Sequence, residues 1–432
     1  IGNLFQQTYT MVDSAIVGRY VSEQALAAVG ASYALTNIFI CVAIGGGIGA
    51  SVIVSRYFGA KEYGRMKTAV FTALLSFLGI SLVLGIAGLI LGKQIMIWLN
   101  TPADCLDMAS EYLRIYFLGL PFLFMYNVLS AMFNALGKSR IPLYFLIFSS
   151  IFNVILDIIM VTKMDMGVAG VAWATLIAQG VSAVLSFFLL MRKLKGYEEE
   201  EKYGCYDFGM MRSMVKIAVP STLQQSIVHM GILLVQSVVN SFGSAALAGY
   251  SAGSRIESLS IVPMLAMGNA MSTFTAQNIG AGKLDRVKEG YKMCYVTVLT
   301  VGAGLCIMYQ LFGGAFVSMF LESGGSTAYS VGVSYVKFLS FFYAFIGLKA
   351  TTDGLLRGAG DVAAFTAANL VNLSIRVIVT NVFAPVYGIQ VAWMAVPMGW
   401  AANYIISFGW YLTGKWKRVK VISADQGEKR KN

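Results

Sequence analysis

The sequence predicts an all-α polytopic membrane protein with twelve transmembrane helices in two six-helix repeats, which form an N lobe and a C lobe. Its 432 residues are 57% hydrophobic and only 12% charged, and the mean hydropathy is +0.70. A soluble domain carries about 25% charged residues and could not bury so much apolar surface, so soluble enzymes, secreted proteins and disordered chains are excluded. Long apolar stretches and motifs that recur in the second half complete the basis for this fold class.

Twelve apolar stretches are long enough to cross a bilayer of about 30 Å as helices. They lie near residues 1–20, 32–56, 68–98, 111–136, 141–162, 167–191, 213–240, 248–278, 289–313, 330–356, 362–386 and 388–413. The internal repeat places the beginning of the first helix before Ile1, so we expect this helix to be truncated.

The distribution of basic residues predicts the orientation of these helices. Of the 32 lysines and arginines, 24 lie in the tail or in loops that follow even-numbered helices. Cytoplasmic loops are enriched in Lys and Arg, so both termini are expected in the cytoplasm. A surface for nucleic acid would not alternate with the helix count, so topology explains the net charge of +11 and no nucleic-acid partner is expected.

The two halves of the chain share short motifs at a nearly constant offset. YFGAKEYGRMK at 57–67 matches NIGAGKLDRVK at 278–288 with an offset of 221; NALGKS at 134–139 matches RGAGDV at 357–362 with 223; and VAW at 171–173 matches 391–393 with 220. Six helices per repeat give both halves the same orientation, and such pairs recur in secondary transporters with a binding site between the halves.

The repeat also defines the expected domains. They are an N lobe at 1–191 that carries a cation-coupling site, a cytoplasmic linker at 192–212, a C lobe at 213–413 and a basic cytoplasmic tail at 414–432.

Polar residues inside the apolar stretches are candidate functional residues, because ionisable groups in a bilayer are costly. Asp13 lies four residues after Tyr9, and Asp157 lies four residues after Asn153, so each pair shares a helix face. Thr175 lies in the next helix. These oxygen atoms could bind Na⁺, and a buried pair of carboxylates could equally bind a proton, because burial and a like charge both raise a pKa.

The second half differs at these positions. The same offsets place Asn153 on Arg376 and Asp157 on Thr380, and Asp13 on Leu234, so the acids belong to the N half alone. Elsewhere in the C half we expect a local pair between Arg255 and Glu257, and Asp353 beside Arg357 at the cytoplasmic rim. His229 is expected to pack between helices.

The remaining motifs predict no separate chemistry. The five cysteines lack a CxxC pair, which indicates no disulfide framework and no metal centre, and Cys105 is expected in an outer loop. GGGIG at 45–49 lacks the lysine of a phosphate loop and favours close helix packing. No motif of an intramembrane enzyme is present, and no cofactor is expected beyond a coupling ion.

Several motifs together resemble those of the multidrug and toxic compound extrusion (MATE) transporters. They are QQTYTMVDSAIVGRYVSEQALAAVG near the start, FGAKEYGRMK, NALGKS, FNVILDIIM and LLRGAGD. The branch resembled is the DinF-like one, whose N-lobe cation-coupling residues match Tyr9, Asp13, Asn153, Asp157 and Thr175. A suspected substrate contact of that branch matches Gln6, and we add the neighbouring Gln7.

The resemblance implies a monomeric antiporter in the plasma membrane of a prokaryote. It would export amphipathic or cationic compounds in exchange for Na⁺ or H⁺ by alternating access between the lobes, surrounded by membrane lipids. The alternative within the wider superfamily is a flippase for lipids or lipid-linked oligosaccharides. A flippase would be expected to carry more basic residues in its cavity.

Overall fold

The computed structural model describes residue 21 and residues 23–98, 103–198, 204–321 and 326–417. Within these residues the protein is helical and contains no strand. The first unit contains α1 (Glu23–Gly59), α2 (Tyr63–Trp98), α3 (Ala103–Ala135), α4 (Arg140–Ile158), a π-helical turn (Ile159–Lys163) and α5 (Gly167–Leu194), followed by the start of α6 (Phe208–Asn240). The second contains the rest of α6, then α7 (Ser244–Gly280), α8 (Leu284–Ser318), α9 (Thr327–Ser340), α10 (Tyr343–Ala359), α11 (Val362–Tyr387), α12 (Gln390–Leu412) and a short 3₁₀ turn (Lys415–Lys417).

The described helices confirm the predicted membrane fold. Nine of them are long and apolar enough to cross a bilayer, and the bent pair α9–α10 counts as a tenth span if it is taken as one. Large apolar side chains such as Ile90 on α2 and Leu311 on α8 are exposed, as expected where helices face lipid tails. The predicted helix at 1–20 lies outside the described residues.

The chain forms two compact units, Ile1–Thr222 and Leu223–Asn432. The division falls inside α6, two residues after Pro220. The first turns of α6 therefore belong to the first unit and the remaining turns to the second.

Small residues allow close helix packing in the first unit. A Cβ atom at Gly49 would lie 2.5 Å from the carbonyl oxygen of Met214, and one at Gly88 would lie 2.3 Å from the ring of Phe117. Both distances are shorter than any tolerated contact, so only glycine fits there. The packing role predicted for the GGGIG motif is confirmed.

The segment between α5 and α6 is fastened to the start of α2. Lys67 Nζ donates to the carbonyl oxygen of Tyr197 at 2.8 Å, and Thr68 Oγ1 donates to that of Gly204 at 2.8 Å. The backbone N–H of Asp207 donates to Thr72 Oγ1 at 3.0 Å. These bonds position the beginning of α6 within the first unit.

The second unit contains a bend that the sequence did not predict. The helix expected at 330–356 is two helices, α9 and α10, which meet at Phe341 and Phe342 with an angle of 52°. The bend frees the carbonyl oxygen of Lys337, which accepts a bond of 2.8 Å from Gln310 Nε2 of α8. The same amide group donates to Ser340 Oγ at 2.9 Å, so a side chain from a neighbouring helix satisfies the broken segment.

Candidate functional site

The candidate site in the first unit is built on the second half of α4. Asn153 is 2% exposed and Asp157 is fully buried, and the four-residue spacing places both on one face of the helix. The rest of α4 is largely apolar, with Ile151 and Ile155 exposed on another face. The sequence therefore directs its two polar residues inward and its aliphatic residues outward.

Packing of α5 against α4 brings the third predicted residue to the same place. Asn153 Nδ2 donates to Thr175 Oγ1 at 3.3 Å, across 22 residues of sequence. Asn153 Oδ1 is buried and accepts no hydrogen bond from any residue that the structure describes. A buried carbonyl oxygen of this kind ordinarily has a partner, so it is a candidate ligand for a cation.

The remaining predicted site residues lie outside the described part of the chain. These are Tyr9 and Asp13, predicted for cation coupling, and Gln6 and Gln7, predicted for substrate contact. Their roles stay predictions.

A π-helical turn follows Asp157 directly and was not predicted. It spans Ile159–Lys163, and Asp165 and Gly167 then adopt positive φ values of 51° and 55° to reverse the chain into α5. A turn of π-helix inside a longer helix is rare and is frequently found at functional sites. Here it begins two residues after the buried carboxylate of Asp157.

Thr175 also lines a cleft between α3 and α5. Its walls are formed by aromatic and small residues together with one amide, namely Tyr112, Tyr116, Gly119, Leu123, Ala172, Leu176 and Gln179. Tyr116 donates its hydroxyl to the carbonyl oxygen of Thr36 on α1 at 3.2 Å. Sequence reasoning missed these residues, because aromatic residues are abundant throughout the chain and only packing selects the ones at a cleft.

The second unit contains a different buried polar cluster, centred on Asp353 of α10. Lys349 Nζ lies 3.3 Å from Asp353 Oδ2 and donates to Asn369 Oδ1 at 2.8 Å. Asn369 Nδ2 donates to Asp353 Oδ2 at 3.0 Å, and Ser407 Oγ donates to Asp353 Oδ1 at 2.6 Å. Both carboxylate oxygens are therefore bonded inside the helix bundle.

This geometry corrects the expected pair between Asp353 and Arg357 at the cytoplasmic rim. Arg357 instead donates to Asn269 Oδ1 at 2.8 Å and to Ser272 Oγ at 3.4 Å. Lys349, four residues before Asp353, lies on the same helix face and is buried, and it is the residue that pairs with Asp353. Arg357, four residues after Asp353, does not pair with it.

The expected pair between Arg255 and Glu257 is also wrong. Arg255 is exposed, whereas the carboxylate of Glu257 accepts a hydrogen bond from the hydroxyl of Tyr335 on α9. Arg255 and Glu257 are two positions apart on one helix, and side chains at this spacing point in different directions and do not face each other.

One cysteine differs in accessibility from expectation. Cys105 was expected in an outer loop, but it is buried near the beginning of α3. Cys205, in the segment before α6, is exposed. Among the described residues, no group of three or more His, Cys, Asp and Glu side chains could hold a metal ion.

A bundle of apolar helices with buried polar groups at membrane depth is typical of membrane transporters. A model of the MatE family matches residues 1–159 and 220–382 of this chain, and the chain belongs to that family of transporters. The two matched stretches begin 219 residues apart, in agreement with the internal repeat. The predicted family and fold class are confirmed, whereas the DinF-like branch stays a prediction.

Individual relatives support the assignment along the whole length. The probable multidrug resistance protein YpnP of Bacillus subtilis is 27% identical over 98% of this chain and 94% of its own length. An FAD transporter of Shewanella oneidensis is 25% identical over 72% of this chain and 70% of its own length. A solved structure described as the outward-facing conformation of a multidrug resistance MATE family transporter shares the fold, with a TM-score of 0.87, 20% identity and coverage of 97% and 93%.

Proposed function

We propose that this protein is a secondary active antiporter, which exports cationic or amphipathic small molecules in exchange for Na⁺ or H⁺ by alternating access of its two lobes. The observation that carries the proposal is the contact between Asn153 and Thr175 beside the fully buried Asp157. Relatives described as multidrug proteins support the export of small molecules, and the cationic or amphipathic class is part of the proposal.

A cation fits the chemistry of this site. A carboxylate in the bilayer interior is costly unless a positive charge balances it, and a proton or Na⁺ would do so. The buried Oδ1 of Asn153 and the hydroxyl of Thr175 are neutral oxygens that Na⁺ accepts as ligands. Asp13 and Tyr9, predicted on the first helix, would add a second carboxylate and a phenol.

Binding of the ion would drive export through reciprocal linkage. If the ion favours one arrangement of the protein and the exported compound favours the other, each weakens binding of the other by the same factor. We expect a coupling free energy of about 1–3 kcal/mol between them. Titration of a fluorescent cationic compound against Na⁺, and separately against pH, measures this factor in purified protein.

Transport in proteoliposomes tests the function directly. An imposed inward Na⁺ or H⁺ gradient should drive efflux of a cationic dye, and one of the two ions should suffice. Asp157→Asn should remove the response to the gradient, whereas Asp107→Asn, which changes an exposed carboxylate on α3, should keep it. Gradient-driven efflux at the wild-type rate by folded Asp157→Asn protein would overturn the proposal.

The choice of exported compound needs a second arm in the same assay. Because one relative is described as an FAD transporter, FAD is tested beside the cationic dye. Gradient-driven movement of FAD without movement of the dye would replace the proposed substrate class and leave the antiport mechanism in place.

The proposed orientation places both termini and the segment before α6 in the cytoplasm of a prokaryotic cell, with the protein acting as a monomer. The exposed Cys205 offers a natural probe of this orientation. An impermeant thiol reagent should label it only after the cells are made permeable, and a Cys205→Ser variant shows which signal belongs to it. Labelling of Cys205 in intact cells would reverse the topology.

A further inference from the structure

A charged cleft of 340 Å³ lies between the end of α2 and the beginning of α3, apart from the proposed cation site on α4. Lys93 comes from α2. The other charged residues of the cleft share one face of α3 through spacings of three and four residues, and they are Asp107, Glu111 and Arg114. Lys93 pairs with Asp107 at 3.0 Å, and both side chains are exposed. The cleft therefore carries charges of both signs, unlike the basic pockets that bind anionic lipid headgroups.

The charges on α3 are ordered along the helix axis. Asp107 lies nearest the beginning of α3, Glu111 follows one turn further, and Arg114 lies about 10 Å from Asp107 at a rise of 1.5 Å per residue. Trp98, the last residue of α2, is exposed, as is typical of tryptophan at the membrane–water interface. From this interface inward, the cleft presents carboxylates first and a guanidinium second.

The inner end of the cleft is apolar. The ring of Phe117 closes it and packs closely on α2, where a Cβ atom at Gly92 would lie 3.0 Å from the ring. Leu89 lines the cleft and is exposed, and Ile86 and Ile90 of the same helix are exposed as well. Hydrocarbon chains that leave the inner end of the cleft would lie along this apolar surface.

Three polar groups of the cleft lack a partner among the residues that the structure describes. The Oγ atom of Ser110 is buried and makes no hydrogen bond, and neither Glu111 nor Arg114 forms an ion pair with a described residue. Ser110 lies one helical turn before Arg114 on the same face. A buried hydroxyl ordinarily has a partner, so Ser110 and Arg114 together indicate a bound anion, and Glu111 indicates a cationic group further out.

We propose that this cleft binds phosphatidylethanolamine, with the phosphate at Arg114 and Ser110, the ammonium at Glu111 and the acyl chains beyond Phe117. In this lipid the phosphate is next to the glycerol and the ammonium is outermost, so its charges follow the same order as those of the cleft with opposite sign. The ammonium donates hydrogen bonds that a carboxylate accepts, whereas the trimethylated amine of phosphatidylcholine donates none. Phosphatidylglycerol has no cationic group for the carboxylates.

Native mass spectrometry of the detergent-purified protein measures this binding without transport. In an equimolar mixture of the three lipids, the complex with phosphatidylethanolamine should exceed each of the other two by roughly 3- to 10-fold, because the others lack the charge-assisted hydrogen bond. Glycerophosphoethanolamine, which has the same headgroup without acyl chains, should not displace the lipid at equal concentration.

Two variants assign the two charges of the headgroup. Glu111→Gln should lower binding of phosphatidylethanolamine to that of phosphatidylcholine, and Arg114→Gln should weaken binding of both lipids by roughly 3- to 10-fold. Glu289→Gln and Arg255→Gln are the matched controls, since they remove the same charges outside the cleft and should bind as the wild type does. All four residues are exposed, so each variant should fold.

The proposal is overturned if the wild type binds the three lipids equally or prefers phosphatidylglycerol, or if either cleft variant binds as the wild type does. Displacement of the lipid by glycerophosphoethanolamine would also overturn it and would assign the cleft to a soluble zwitterion. None of these results would touch the antiport proposal, which depends on Asp157 and is measured by gradient-driven efflux.

Discussion

The helices α4 and α11 occupy corresponding positions in the two halves of the chain, yet their inward faces carry opposite character. α4 presents Asn153 and the fully buried Asp157, whereas α11 presents Arg376 and Thr380 at the same register. The duplication has preserved the spacing of the polar positions and changed their charge. Under the function proposed above, a mobile cation would bind in the first half, where the carboxylate lies, and not at the corresponding positions of the second half.

The two buried aspartates sharpen this comparison. Asp353 in the second unit has a lysine one helical turn away and bonds from Asn369 and Ser407, so its partners are permanent parts of the fold. Asp157 lies one turn from an asparagine whose oxygen is buried and whose amide reaches Thr175. Asp353 is therefore a structural residue of the second unit, whereas Asp157 has the coupling role only under the function proposed above.

The largest expected effect is the loss of coupling in Asp157→Asn. The variant keeps the shape of the side chain and removes the negative charge that a cation would balance, so ion-driven efflux should fall to background while the Tm changes little. If Asp13 belongs to the same site, Asp13→Asn should have the same effect and the double variant no further one, because residues of one site are not additive. Additive partial losses would indicate two separate sites.

The second effect concerns the stability of the C half. Lys349→Met leaves Asp353 buried without its balancing charge, which should lower the free energy of unfolding by about 3–5 kcal/mol. Lys93→Met is the matched control, because its partner Asp107 is exposed and surface pairs contribute about 0–1 kcal/mol. Thermal unfolding of both variants measures the difference. Efflux by the folded Lys349→Met protein should still depend on the ion gradient. If efflux no longer depended on the gradient, the coupling site would belong to the second unit.

A smaller effect is expected from two glycines on one helix. In Gly399→Ala the new methyl group would lie 2.2 Å from Asn372 Oδ1, and overpacking of this kind costs about 1–3 kcal/mol. Gly409→Ala adds the same methyl group to α12 with no atom within 4 Å, so it should be neutral or slightly stabilising. Equal stability of the two variants would show that α12 does not pack closely against the face of α11 that carries Asn372 and Arg376.

The smallest effect is on ion affinity. Thr175→Ala removes one neutral oxygen from the proposed site, and a single neutral hydrogen-bonding group contributes about 0.5–1.5 kcal/mol, or roughly 2- to 12-fold in affinity. Thr380→Ala removes a hydroxyl from the counterpart of Asp157 in the second unit and should leave the affinity unchanged. Isothermal titration with the coupling ion measures both, and a larger loss in Thr380→Ala would reverse the roles of the two units.

The repeat and the helix count were predictable from sequence, because hydropathy and the offset between repeated motifs are read along the chain and do not depend on how the helices pack. So was the shared face of Asn153 and Asp157, which follows from helix geometry alone. The contact between Asn153 and Thr175 was predicted through the resemblance, and it depends on how α5 packs against α4. Packing also selected Lys349 over Arg357 as the partner of Asp353, although both lie four residues away.

Other features had no local sequence signal. The bend between α9 and α10 contains no proline or glycine at Phe341 and Phe342. Ser340 Oγ donates to the carbonyl oxygen of Lys337 at 2.7 Å, but serine makes this type of bond in other helices of the chain too, so it does not predict a bend. The π-helical turn after Asp157 likewise contains no proline or glycine, and its sequence IMVTK continues the apolar pattern of α4 up to Val161. Cys105 was predicted in a loop because it lies between the apolar stretches 68–98 and 111–136, whereas α3 already begins at Ala103.

Gln310 makes the bend in the second unit depend on a residue of another helix. Its amide donates to the carbonyl oxygen of Lys337, to which Ser340 Oγ of the bent segment also donates at 2.7 Å, so residues of both α8 and α9 stabilise the bend. A homologue could therefore lose part of the support for this bend through one substitution at the position of Gln310, 30 residues before Ser340, without any change in α9 or α10. Two such homologues could then differ in the shape of α9–α10 although the sequences of this segment are identical. An alignment of this segment alone would not show the difference.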